Sequence, residues 1–297
     1  MTHFKVKPRI IVCAKEMNKK FVYYFNIALA AIASAATLFC AVAPEDWLGT
    51  RTWCLTIGIL AVILIICAYF AWCQTELKEN ISIKISPNLR VNVFKGDLFK
   101  QKNIVVIPVN EYFDTHVDDV IIAHRTIHGK FIDEHFRNNE DELYRQIDVQ
   151  ISHIAERLVV NNRCHAGSRN IKYPIGTCAD IVLGDTIFVL FALTHFDDED
   201  KAYLPKEEFG NAIIQLMNHL ATISNNRPVY MPLFGTGLSR LNETHQRVLL
   251  FIIDTISFSC PVAINAGLNV IVYPTDMVKV NLNKVEDFFS ETLGVVD

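Results

Sequence analysis

"RPVYMPLFGTGLSRLNETHQRVLLFIIDTI" runs from Arg227 to Ile256. Its first part, "PVYM", is an apolar run of strand length. Its last part, from Asn242, repeats apolar residues at helical spacing. Between them stands "PLFGTGLSR", Pro232 to Arg240, with two glycines, a threonine and a serine at a strand-to-helix junction. One reading is a tight turn. The other is a cradle for phosphate. Gly235 and Gly237 can take positive φ and expose their N–H groups. Thr236 and Ser239 add hydroxyl donors, and Arg240 adds charge. A helix beginning near Asn242 adds the positive end of its dipole. The stretch is not a Walker A loop, because no Gly-Lys-Ser/Thr follows. It is not a dinucleotide fingerprint either, because GxGxxG is absent.

Working outward, the same alternation recurs. "LRVNVFKGDLF" opens with a strand pattern. "NIVVIPVN" (Asn103 to Asn110) and "DTIFVLFALTHF" (Asp185 to Phe196) are continuous apolar runs, as expected for strands covered on both faces. "EDELYRQIDVQISHIAERL" (Glu140 to Leu158) is a helix by period. So is "KEEFGNAIIQLMNHLATIS", with Phe209, Ile213, Ile214, Met217 and Leu220 near one face. "GLNVIVYP" is a further strand and "NKVEDFFSETL" a closing helix. Strands alternating with helices predict a layered α/β domain over residues 81–297, with a mixed, largely parallel sheet. Three motifs then fall at strand ends, where such sheets bind ligands. They are "KGDLF" with Asp97, "VNEYFDT" with Asn110, and "GTGLSR".

The N-terminal part has a different character. Hydrophobic residues make up 51% of the 297 residues, and the mean hydropathy is +0.23. The excess is concentrated in Phe21 to Ala43 and Trp53 to Cys73, two uncharged runs of bilayer-spanning length. They predict a transmembrane helical hairpin over residues 21–80, joined by the link "PEDWLGTRT". Tyr23, Tyr24, Trp53 and Trp72 stand at the span ends, where amphipathic rings favour the interface. Residues 1–20 form a basic segment. Of the formal net charge of −4, those residues contribute +5 and the link −1, so residues 74–297 carry −8. The positive-inside rule places both termini in the cytoplasm of a multi-pass inner-membrane protein. A cleaved signal peptide fits less well, because the apolar core is too long and a second span follows at once. Small residues four apart in the first span, such as Ala30 and Ser34, suit either packing within the hairpin or association between chains. The −8 on the soluble part argues against nucleic-acid binding. The eight cysteines include no CxxC and suggest neither a zinc site nor a disulfide framework.

These residues resemble the macro domains, which bind ADP-ribose and its relatives. The order is a strand with "GD", a strand ending in "VN" and a late strand ending in "PLFGTGLSR". The resemblance implies a three-layer macro-like α/β domain. It also implies roles for site residues. Asp97, with the backbone of Leu98 beside it, would accept from the adenine amino group. Asn110 would orient the distal ribose. Gly235, Thr236, Gly237, Leu238, Ser239 and Arg240 would wrap the diphosphate. Tyr273 would stack on adenine, and "YPIGTCADI" (Tyr173 to Ile181) resembles the family's Gly-containing segment before a core strand. Joined to a two-helix hairpin, the domain looks like the transmembrane–macro effector subunit of Thoeris anti-phage defence systems in bacteria. That resemblance implies a homo-oligomer in contact with membrane lipid. It would sense an ADP-ribose-derived signal, for example an amino-acid-linked ADP-ribose, made from NAD by a TIR-domain partner. Binding would disrupt the membrane and abort the infection. No cofactor, metal or catalytic residue is implied.

One departure from the family pattern bears on chemistry. Macro domains that hydrolyse ADP-ribose linkages carry a glycine-rich loop after the Asn. Here that loop reads "EYFDTHVDDV", without a glycine pair, so the site reads as a sensor. The alternative is a membrane-anchored ADP-ribosyl hydrolase. Asp114, Asp118 and Asp119 in that loop are candidates to discriminate what the distal ribose carries. His124 and His128 stand one turn apart, but no further metal ligand accompanies them.

Overall fold

The computed structural model describes residues 21–30, 32, 34, 61–69, 71, 78–160, 163, 167–197, 199, 201–235, 241–259 and 261–293. The chain forms two units, Met1–Lys78 and Glu79–Asp297. In the first, residues 21–30, 32 and 34 are helical, as are 61–69 and 71. Ser34 folds its hydroxyl back onto the Ala30 carbonyl at 2.9 Å. The rest of both expected spans, and the whole link, lie outside the described residues. Among the described residues no helix is long and apolar enough to cross a membrane.

The second unit is built on one mixed sheet. Its strands are β1 (Asn80–Ser86), β2 (Leu89–Lys95), β3 (Ile104–Asn110), β6 (Cys178–Leu183), β7 (Thr186–Phe196), β8 (Ala202–Tyr203), β9 (Val229–Pro232) and β10 (Ile264–Val272). The order is β1-β2-β10-β9-β3-β7-β6, with β8 paired to β7. The β2, β10, β9, β3 and β7 neighbours pair in parallel. The β1–β2, β6–β7 and β7–β8 pairs are antiparallel. Strands β4 (Leu158–Val159) and β5 (Ile171–Lys172) form a separate two-stranded ribbon.

Helices cover both faces, which is why "IVVIPVN" is apolar throughout. Along β3, Ile104 and Val106 join the core beneath α3 (Lys206–Ile223), α4 (His245–Ser259) and α5 (Leu282–Leu293). Val105, Ile107 and Val109 join the opposite core, beneath α1 (Ile127–His135) and α2 (Glu140–Ile151). Pro108 is tolerated in this central strand because pairing with β9 ends at Val105.

Three expectations need correction. Strand β1 precedes "LRVNVFK" and pairs with it antiparallel, so the sheet has one strand before that pattern, inside the domain expected from residue 81. The helix expected over Glu140 to Leu158 stops at Ile151. Beyond it, Leu158 and Val159 pair with β5, so tertiary pairing overrides local period. Finally, α4 starts at His245, three residues after the expected Asn242. Asn242 itself has a φ of +52° and stands outside any helix. The Thr244 hydroxyl accepts the Arg247 N–H at 3.3 Å and opens the first turn.

Candidate functional site

Because β2, β10, β9, β3 and β7 run the same way, their carboxyl ends share one edge of the sheet. A cleft of about 490 Å³ lies along that edge. Of the residues singled out in the sequence, Asp97, Leu98, Asn110, Gly235 and Tyr273 all line it. Thr236, Gly237, Leu238, Ser239 and Arg240 lie outside the described residues.

Each lining residue is placed by local geometry. Asp97 lies two residues past β2 and caps the single 3-10 turn Leu98–Lys100 by accepting the Phe99 N–H at 3.2 Å. The turn is drawn toward β10 by the Gly96 N–H, which donates to the Val272 carbonyl at 3.0 Å. Leu98 is buried beneath it. Asn110 ends β3 and is nearly fully buried. Its Oδ1 accepts the Tyr112 N–H at 3.0 Å and the Asp114 N–H at 3.4 Å. Gly235, after β9, has a φ of +87°, a conformation that suits glycine alone among ordinary residues. Tyr273, just past β10, is half exposed, and the Lys130 ammonium stands 5.6 Å from its ring centre.

The loop after Asn110 differs from the expectation. Asp114 is fully buried and holds the Arg163 guanidinium at 2.9 Å through both oxygens. It also accepts the Arg169 N–H at 2.7 Å. Asp118 accepts the Val120 and Ile121 N–H groups at 2.9 and 2.7 Å. Asp119, at a φ of +61°, accepts the His124 N–H at 3.0 Å. All three carboxylates help to shape the loop, and none of the three lines the cleft. The two histidines also separate in role. His124 pairs with Asp133 at 2.6 Å, whereas His128 is buried in the cleft wall. Among the described residues no group of acidic, histidine and cysteine side chains is arranged to hold a metal.

Two features of the site escaped the sequence reading. The first is a charge cluster behind the distal wall. The Glu111 carboxylate is fully buried and meets Lys172 at 3.0 Å and His195 Nδ1 at 2.7 Å. It also accepts the Phe196 N–H at 3.1 Å. His195 Nε2 meets Glu208 at 2.8 Å. Burial alone would raise the Glu111 carboxyl, but the His195, Phe196 and Lys172 contacts outweigh it and hold it below the usual range. The hydrogen bond to Glu111 leads in raising the His195 imidazole, against burial. The second feature is the first turn of α1 and the two residues before it, which bring Arg125, Thr126, His128 and Lys130 to the cleft. Burial drives the His128 imidazole down to about 3, so it is neutral. The available signal was the "RTIHGK" string itself, two cations flanking a Thr cap.

Comparison with known proteins gives two kinds of match. The family model "Thoeris protein ThsA, Macro domain" matches residues 91–273. The Thoeris protein ThsA of Bacillus amyloliquefaciens (strain Y2) is 30% identical over 245 residues, covering 78% of this chain and 77% of that protein. Among solved structures, a variant of the Oceanobacillus iheyensis macrodomain with ADPR has a TM-score of 0.49 and 10% identity, covering 71% of this chain and 99% of that one. The same macrodomain with ADP has a TM-score of 0.48 and 9% identity, covering 71% and 97%.

Proposed function

The chain belongs to the macro-domain family of the Thoeris protein ThsA, and from that premise we propose that its cleft senses an ADP-ribose-derived signal nucleotide. The observation that carries this reading is the convergence of Asp97, Asn110, Gly235 and Tyr273, from four different strand ends, on one cleft. Its volume falls within the ~300–1,000 Å³ usual for small-molecule sites. Asp97 presents a carboxylate to an adenine amino group, and Tyr273 presents a half-exposed ring for stacking. Asn110 stands at the distal ribose, and the backbone at Gly235 meets the diphosphate.

In this reading the signal is made from NAD by a TIR-domain partner and carries a substituent such as an amino acid on the distal ribose. Binding changes contacts between the cytoplasmic domains of a homo-oligomer. The N-terminal hairpin transmits that change to the inner membrane and disrupts it. For this to work, the ligand must favour one assembly state over the other. We further read the site as a sensor without hydrolase activity. The segment after Asn110 has no glycine pair, its three aspartates are committed to loop geometry, and the Asn110 Oδ1 is held by two backbone N–H groups. These features leave that segment little freedom to position an attacking water.

The test is calorimetric titration of the full chain with ADP-ribose and amino-acid-linked ADP-ribose, in wild type and Asp97→Ala. Loss of a hydrogen bond to a charged group is worth ~1.5–3 kcal/mol, so the variant should bind roughly 10- to 150-fold more weakly. Induction with a TIR partner should then permeabilise wild-type cells and spare the variant. Unchanged binding in Asp97→Ala, or toxicity that survives loss of binding, would sink the proposal. Turnover of a labelled ADP-ribosyl substrate, lost in Asn110→Ala, would favour the hydrolase.

A further inference from the structure

Two cations of the cleft wall lack an anionic partner. Arg125 and Lys130 both line the cleft, and neither forms an ion pair among the described residues. Apart from Asp97, which caps its own turn, the other charges nearby are matched. Asp276 holds Lys279 at 2.7 Å and His245 at 3.4 Å. Asp114 holds Arg163, and Glu111 holds Lys172. Lys130 instead stands over the Tyr273 ring.

Between these cations lies a third group without a partner. His128 is only 6% exposed and lines the same wall. Neither ring nitrogen hydrogen-bonds to any described residue. A polar ring that loses its water and gains no protein partner is costly in an apolar setting, unless a ligand supplies the missing bond. The turn that presents these groups is fixed. Thr126 caps α1 by accepting the Gly129 N–H at 2.9 Å, and its hydroxyl donates to the Ala123 carbonyl at 2.7 Å.

We propose that Arg125, His128 and Lys130 form an anion-binding wall that takes the phosphates of a nucleoside diphosphate. The inference rests on the reading of this cleft as a nucleotide site and adds a set of contacts to it. The α1 wall adds side-chain charge to the backbone contact at Gly235, and His128 adds a neutral N–H donor. A base stacked on Tyr273 displaces Lys130 from the ring face and leaves its ammonium free for the phosphates beside it.

The experiment titrates the full chain with two probes, ADP-ribose and inorganic pyrophosphate, at low and high salt. The proteins are wild type, Asp97→Ala and the double variant Arg125→Ala/Lys130→Ala. Each cation removed should weaken binding of both probes about tenfold. The double variant should also lose most of the salt dependence. Asp97→Ala should weaken ADP-ribose alone. His128→Phe, which keeps the volume and removes the N–H, should weaken both probes and leave the unfolding midpoint unchanged. Suppose ADP-ribose binds wild type and the double variant equally, with loss only in Asp97→Ala. The anion wall is then overturned and the nucleotide reading stands. Pyrophosphate bound through the two cations, with no adenine nucleotide bound, overturns the nucleotide reading alone. Failure of both probes to bind wild type overturns both.

Discussion

Gly129→Ala sets two physical effects against each other at the cleft wall. Gly129 sits in the first turn of α1. By helix propensity alone, alanine should stabilise this position by ~1 kcal/mol. The structure gives the opposite sign. An added Cβ would stand 2.9 Å from the Ala123 carbonyl carbon and 3.0 Å from His124 Cα, and nearer still to the Ala123 oxygen. All three are backbone atoms and cannot rotate away. The Ala123 oxygen is also in use, accepting the Thr126 N–H at 2.9 Å and the Thr126 hydroxyl at 2.7 Å. Moving the 123–126 turn aside therefore weakens two hydrogen bonds at ~1 kcal/mol each and strains a cap worth ~1 kcal/mol. Set against the propensity gain, the net loss is about 2 kcal/mol. Urea unfolding of the full chain would read it as a lower midpoint at unchanged slope. Nucleotide affinity should fall as well, since the same turn carries Arg125 and His128. A variant as stable as wild type, or more so, would refute the reasoning, because propensity would then have won over packing.

Two further outcomes follow from the buried charges. Asp114→Ala leaves Arg163 without its carboxylate and the Arg169 N–H without an acceptor, both deep in the loop. It should cost ~3–5 kcal/mol by denaturant unfolding, whereas Asp118→Ala on the surface turn should cost ~1 kcal/mol or less; similar losses in the two would refute the assignment. The pair Glu111 and His195 predicts a stability profile with two limbs. His195 is raised above 6.5, so its contribution is complete below 6.5 and is lost as pH rises through the folded value. Glu111 is lowered below 4.5, so its contribution is complete above 4.5 and is lost as pH falls through the folded value. Unfolding midpoints measured across the alkaline side should decline in wild type and decline less in His195→Gln; parallel profiles would show that His195 is not the titrating group.

The fold was legible because burial on both faces leaves an uninterrupted mark. β3 and β7 are such runs, and both stand in the middle of the sheet. Strand β1 left a weaker mark. "NISIKIS" buries Ile81 and Ile83 and turns Asn80, Ser82 and Lys84 outward, so its apolar content is half that of a central strand. The end of α2 was hidden for another reason. Leu158 and Val159 fit a helical period, but their partners are Lys172 and Ile171. No local pattern reports a partner twelve or fourteen residues away.

The site divides along the same physical line. Asp97, Asn110 and Gly235 could be read because strand ends and positive-φ turns restrict residue type locally. The Glu111 cluster could not, since its contacts depend on the register that sets the Glu111 N–H on the Thr194 carbonyl. Asp114, Asp118 and Asp119 show what such blindness costs. In the sequence they are three carboxylates beside a ribose-orienting Asn, free to choose a substituent. In the fold each accepts backbone N–H groups of the chain itself, a buried arginine holds Asp114 as well, and none of the three lines the cleft. A sequence shows charge but not whether that charge has a partner. The same reasoning applied in reverse selects Arg125 and Lys130. Among the described residues they keep their charge unmatched on the wall of the cleft.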